Sequence, residues 1–94
     1  MSGARARIAV VGAGAWGTAI ACHLASRAHA KPDVVLVARS ADRAGEIARD
    51  RRNDRYLPGV SLPGALAVDH RPEAAAGTDV VIAATPVGAL DGLA

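Results

Sequence analysis

Ile8-Ala9-Val10-Val11-Gly12-Ala13-Gly14-Ala15-Trp16-Gly17 reads as a short buried strand that turns at glycine and enters a helix. The unbroken apolar run up to Val11 is the pattern of a strand covered on both faces of a parallel sheet. Gly12, Gly14 and Gly17 have the G-x-G-x-x-G spacing of a dinucleotide-binding turn. Each position has a physical reason. Gly12 permits the tight turn, Gly14 lets a pyrophosphate approach the backbone, and Gly17 lets the helix lie close against the strand. The helix then begins with free N–H groups and a positive dipole end directed at the phosphates.

Working outward from this turn, the chain alternates strand and helix. The first strand spans 7–11 and the first helix runs from Ala15 to about Ala28, with Gly17, Ile20, Ala21, Leu24 and Ala28 forming a stripe toward the sheet. Val34 to Ala38 is a second strand. Ser40 is a good N-cap for a second helix reaching about Arg52, with Ala41, Ala44, Ile47 and Ala48 facing inward. Two prolines and two glycines in residues 53–64 predict a loop without regular structure, and a loop of that length hints at function. A third strand follows at 65–69, a helical turn opened by Pro72, and a fourth strand at 79–84. Thr85-Pro86 ends that strand and Val87 starts another helix. This order is that of a doubly wound α/β sheet of the Rossmann type, with right-handed crossovers giving the strand order 3-2-1-4. Residues 1–94 are then one partial dinucleotide-binding domain, which stops in the middle of a unit.

Composition sets bounds. The chain has 94 residues, 51% apolar and 21% charged, with one Trp, one Tyr and no Phe. Roughly a third of the unfolded chain's surface stays exposed in a domain this small. The core must be built from Ala, Val, Leu and Ile. A formal net charge of +2 is too small to argue for nucleic acid. The densest basic cluster, Arg49, Arg51, Arg52 and Arg55, is interrupted by Asp50 and Asp54 and reads as a solvated helix end. The lone Cys22 has no partner for an internal disulfide, which fits a reducing compartment. Arg5 and Arg7 before the apolar stretch 8–21 loosely mimic a secretory signal, but three glycines break it. The stretch is also too short to insert in a membrane. The expected location is the cytoplasm.

The cofactor is read at the end of the second strand. An NAD-binding version places an Asp or Glu there to hold the ribose hydroxyls. Here the end reads Val37-Ala38-Arg39-Ser40, without an acid. Arg39 offers a guanidinium fork suited to a 2′-phosphate, and Ser40 can donate a further hydrogen bond. NADPH is therefore the favoured cofactor, with NADH use left open. The plainer alternative is that Arg39 caps or solvates the loop.

Gly12-Ala13-Gly14-Ala15-Trp16-Gly17-Thr18-Ala19, followed by Asn53-x-x-Tyr56-Leu57-Pro58-Gly59-x-x-Leu62-Pro63, resembles the N-terminal domain of NAD(P)-dependent glycerol-3-phosphate dehydrogenases. The resemblance runs from Ile8 to about Leu90. It implies an oxidoreductase that interconverts dihydroxyacetone phosphate and sn-glycerol 3-phosphate, feeding phospholipid synthesis, and a homodimer when full length. It also implies cofactor contacts at Ala15, Trp16, Arg39 and Tyr56, with Ser40 beside them. Position 15 is commonly serine in that family. Alanine loses a side-chain hydrogen bond but keeps the backbone one. The family's catalytic lysine and its substrate-phosphate ligands fall beyond residue 94, so no catalytic residue carries over. The 94-residue chain is expected to be inactive alone.

Other residues read more plainly. Trp16 is either a helix-packing anchor or a cofactor contact, and Tyr56 either a loop staple or a contact. His23, His29 and His70 have no metal-ligand spacing with each other or with Cys22. Asp69, Asp79 and Asp91 show no paired-carboxylate logic. Two other functions compete: the cofactor domain of another Rossmann dehydrogenase such as a ketopantoate reductase, against which the 53–63 segment argues, and a non-catalytic module that senses dinucleotide redox state.

Overall fold

The computed structural model describes residues 6–26 and 32–84. The helix expected from Val87, the Thr85-Pro86 stop, and the positions of Ala28, His29 and Asp91 lie outside them. Four strands, β1 (Arg7–Val11), β2 (Asp33–Val37), β5 (Ala67–Asp69) and β6 (Val80–Ala83), form one sheet in the order β5-β2-β1-β6. Every pairing in it is parallel. This is the 3-2-1-4 order expected, counted over the strands of the main sheet.

The central strand explains the order. Ala9 and Val10 are fully buried, because β1 is paired on both edges and covered on both faces. Leu36 and Val37 on β2 are buried for the same reason. The register aligns Val11 with Val37 and with Ala83, so the carboxyl ends of these strands share one edge of the sheet. β2 and β6 lie on opposite sides of β1. The strand order therefore reverses at β1, and the crevice of a doubly wound sheet opens at such a switch point.

Helix α1 (Ala15–Ala25) packs Ala21, Cys22 and Ala25 into the core and leaves Ile20 and Leu24 half-buried against it. Cys22 is 9% exposed. Burial pushes its thiol pKa up, partly offset by the Arg51 charge, which makes it a poor nucleophile. Helix α2 (Ala41–Asp50) starts at Ser40, whose Oγ accepts the Arg43 N–H at 3.2 Å. Only Ala44 and Ile47 of its four expected inward residues are buried; Ala41 and Ala48 are exposed. The contact face is rotated toward the side carrying Arg43 and Arg51, whose side chains turn in to make hydrogen bonds.

Arg51 ends α2 in the left-handed conformation, φ 53°, and its Nη2 donates to the carbonyls of Pro63 (2.6 Å) and Leu66 (2.9 Å). It is therefore a staple between α2 and the approach to β5, not part of a solvated helix end. The segment expected to lack regular structure folds as an antiparallel pair, β3 (Arg52–Asn53) and β4 (Leu57–Ser61). Asn53 faces Leu57 while Arg52 faces Ser61, so an irregularity lies between the two pairs. That bulge absorbs Pro58, which has no N–H to donate, and Gly59 at φ 81°. Turn-forming residues there mark a bulge inside a hairpin, which composition alone does not separate from a loop.

Candidate functional site

The glycine turn lies at the carboxyl edge of the sheet and is held from both sides. Gly12 N–H donates to Val37 O at 3.0 Å, which ties the turn to β2, and Ala84 N–H donates to Val11 O at 2.8 Å, which ties β6 beside it. Gly12 adopts φ 113°, a conformation that favours glycine. A Cβ on Gly17 would stand 1.8 Å from Gly12 O, so helix and turn touch backbone to backbone. A Cβ on Gly14 would meet nothing within 4 Å. One glycine is required by contact with protein, the other faces open space.

The first bond of α1 runs from Thr18 N–H to Gly14 O at 3.0 Å. The N–H groups of Ala15, Trp16 and Gly17 thus have no acceptor within the helix, and no acid occupies its first turn to neutralise them. A cleft of about 510 Å³ opens beside them, lined by Gly14, Ala15, Trp16, Ile20 and Ile82–Ala84. Trp16 is 76% exposed at this cleft. The helix-packing alternative for Trp16 does not hold, since the indole is not in the core.

On the other side of the turn, Arg39 and Ser40 are exposed just beyond β2. Ser40 Oγ accepts from Arg43, which leaves its own hydroxyl proton free to donate outward. The next arginine along this edge differs. Arg71 is bound to Asp69 through two side-chain hydrogen bonds, at 2.9 and 3.1 Å. Those bonds, with the His70 and Arg71 N–H groups, hold the Asp69 carboxyl well below the usual carboxylate range. Arg71 is committed to that carboxylate, whereas Arg39 pairs with none among the described residues.

Tyr56, half exposed, sits where the β3–β4 hairpin turns, and the Arg43 guanidinium lies 5.6 Å from its ring centroid. Arg43 also pairs with Glu46 and donates to Asn53 Oδ1 at 2.7 Å. Asn53 is the residue that sequence reasoning left without a role. It is buried to 2% exposure, and its Nδ2 donates to Ala13 O and Thr18 Oγ1, each at 2.8 Å. Through it the hairpin, α2, α1 and the glycine turn meet at one carboxamide. A signal was available: Asn53 opens the motif that contains Tyr56, and Thr18 follows Gly17 directly in the other quoted motif. Among the described residues no group of three or more His, Cys, Asp or Glu could hold a metal ion, and no helix is long and apolar enough to cross a membrane.

The family model of the NAD-dependent glycerol-3-phosphate dehydrogenase N-terminus matches residues 7–94. Among curated relatives, the glycerol-3-phosphate dehydrogenase [NAD(P)+] of Variovorax paradoxus is 49% identical over 86 residues, covering 89% of this chain and 24% of the relative. That of Paucimonas lemoignei is 47% identical over 96 residues, covering 94% and 27%. The chain spans about a quarter of the length of the curated relatives it matches. Among solved structures, glycerol-3-phosphate dehydrogenase from Coxiella burnetii superposes with a TM-score of 0.73 at 31% identity, over 84% of this chain and 24% of that one. The Plasmodium falciparum enzyme gives 0.79 at 21% identity, over 97% and 28%, which speaks to the fold alone.

Proposed function

The chain belongs to the family of NAD-dependent glycerol-3-phosphate dehydrogenase N-termini, and from that premise we propose that it is the dinucleotide-binding part of such an enzyme. The reaction is hydride transfer between a nicotinamide cofactor and the dihydroxyacetone phosphate/sn-glycerol 3-phosphate pair. The observation that carries the reading is the glycine turn: three helix N–H groups without intrahelical acceptors, beside a Gly14 that faces open space. These residues fit a pyrophosphate. Gly12, Gly14 and Gly17 shape the turn, and Ala15 and Trp16 supply N–H donors. Arg39 and Ser40 hold the 2′-phosphate of NADPH, Tyr56 walls that end, and NADH binds more weakly for want of the phosphate. The nicotinamide supplies or accepts the hydride, and this chain's residues bind and orient it. The site of action is the cytoplasm, and the whole enzyme works as a homodimer.

Trp16 is the chain's single tryptophan, so its fluorescence reports on the cleft directly. Titration with NADPH should quench it saturably, and NADH should need a higher concentration for the same effect. A folded chain whose fluorescence responds to neither cofactor would overturn the reading.

A further inference from the structure

We propose that Asn53 is a positioning residue that presets the Ala13–Gly14 peptide, so that the Gly14 N–H faces the dinucleotide phosphates. The inference rests on the dinucleotide-binding reading above. It starts from one buried side chain that uses both its N–H donors and its oxygen in hydrogen bonds. Asn53 Nδ2 donates to Ala13 O and Thr18 Oγ1, and Oδ1 accepts from Arg43 Nη2. A carboxamide with partners on three different elements has one orientation.

Its partner in the turn is what matters. The peptide between Ala13 and Gly14 is planar and trans, so its C=O and N–H point in opposite directions. Asn53 draws the Ala13 carbonyl toward itself, and the Gly14 N–H is thereby turned the other way. That N–H has no acceptor among the described residues, and the space at Gly14 is open. Rotation of this peptide changes ψ of Ala13 and φ of Gly14, and Gly14, with no Cβ and open space beside it, accepts the new φ at little cost. Rotated, it would present a carbonyl oxygen to the phosphates in place of a donor. Asn53 removes that alternative before the ligand arrives, which lowers the cost of binding. Its Oδ1 meanwhile steadies Arg43 over Tyr56, so one buried side chain orders the phosphate seat and the wall beyond it.

The test uses the full chain, NADPH as probe and Trp16 fluorescence as readout. Asn53→Ala leaves the Ala13 carbonyl unheld. Asn53→Asp keeps the shape and the Arg43 contact but offers Ala13 no N–H. Leu66→Ala, a buried core truncation that bonds to nothing in the turn, controls for lost stability. Dissociation constants are read where circular dichroism shows each chain folded, together with the Gly14 amide resonance in the free protein. Both Asn53 variants should bind NADPH about tenfold more weakly and shift that resonance. Leu66→Ala should lower the Tm and leave affinity and resonance alone. Wild-type affinity and an unmoved Gly14 amide in a folded Asn53 variant would overturn the inference and leave dinucleotide binding intact. Where neither Asn53 variant folds, Thr18→Val removes one of the two acceptors that hold Nδ2. Its expected loss is about threefold, and an unchanged affinity overturns the inference equally. A wild-type chain that binds no NADPH overturns the binding reading itself, and this inference with it.

Discussion

The two flanks of the glycine turn are built from opposite chemistry. Toward β6 the walls are Ile20, Ile82, Ala83 and Ala84, with the exposed Trp16 indole above them. Toward β2 the surface carries Arg39, Ser40, Arg43 and Tyr56, with two guanidinium groups and two hydroxyls. The turn between them contributes only backbone. A ligand spanning all three regions must have a flat apolar end, an anionic middle and a polar end that welcomes more negative charge. The contrast assigns each flank a separate share of affinity. On the function proposed above, the middle would serve any dinucleotide, the β2 flank would separate the phosphorylated from the plain form, and the β6 flank would treat both alike.

The most damaging way to break this arrangement is to separate the helix from the turn. Gly17→Ala places a Cβ 1.8 Å from Gly12 O, where only backbone displacement relieves the clash. Overpacking of this kind should cost about 3 kcal/mol, a fall in Tm of roughly 10–20 °C in a domain this small. Both flanks lose their common pivot, so NADPH and NADH binding should vanish together. Thermal unfolding by circular dichroism checks the first part, and a Tm at the wild-type value would show that the contact is not obligatory.

Gly14→Val tests the middle alone. A Cβ at this position meets no protein atom within 4 Å, and Gly14 has an extended backbone that L residues adopt, φ −83°. Stability should change by no more than about 0.5 kcal/mol. An isopropyl group in the phosphate seat should nonetheless weaken both cofactors by about a hundredfold. The pair of glycine variants thus separates fold from binding. Retention of NADPH affinity in folded Gly14→Val would place the phosphates elsewhere.

The same contrast explains what could be read from sequence. In the β6–turn–α1 region the continuous apolar strand and the three spaced glycines are legible because those signals are local, whereas the expected stripe on α1 is rotated: Thr18, Cys22 and Ala25 are buried and Ile20 and Leu24 only half-buried. The 3-2-1-4 order followed from handedness rules applied to that alternation. The β2 flank was legible only in part. Arg39 and Ser40 stand next to the strand that places them, but Arg43, Asn53 and Thr18 are joined by hydrogen bonds across 35 residues of sequence, which no local pattern encodes. Arg51 looked like one solvated charge among several, because nothing in sequence shows a side chain turning back to carbonyls 12 and 15 residues away. The β3–β4 hairpin was hidden by the proline and glycine that form its bulge.

Arg39→Ala divides one flank from the other. An exposed charge-assisted bond to a phosphate is worth roughly 1.5 kcal/mol, the low end of such bonds. NADPH should weaken about tenfold while NADH changes little, so the ratio of the two constants falls. The ratio is the measurement that decides. An equal loss for both cofactors would make Arg39 part of the scaffold, and the β2 flank would then owe any selectivity to Ser40 or Arg43.

Trp16→Ala asks the complementary question of the β6 flank, with the smallest expected effect. The indole is exposed in the free protein, so its removal opens no core cavity and the Tm should stay near the wild-type value. What it can lose is contact with the flat apolar end of a bound cofactor. Aromatic contacts of that kind contribute about 0.5–1.5 kcal/mol, and partial exposure places this one near the lower half, a loss of about threefold. The cofactor's own emission must serve as the signal, because the variant has no tryptophan. The nicotinamide end is the same in NADH and NADPH, so both should weaken by the same factor and their ratio should stay fixed. A change in that ratio would mean that Trp16 senses the 2′-phosphate end, and the division of labour between the flanks would fail.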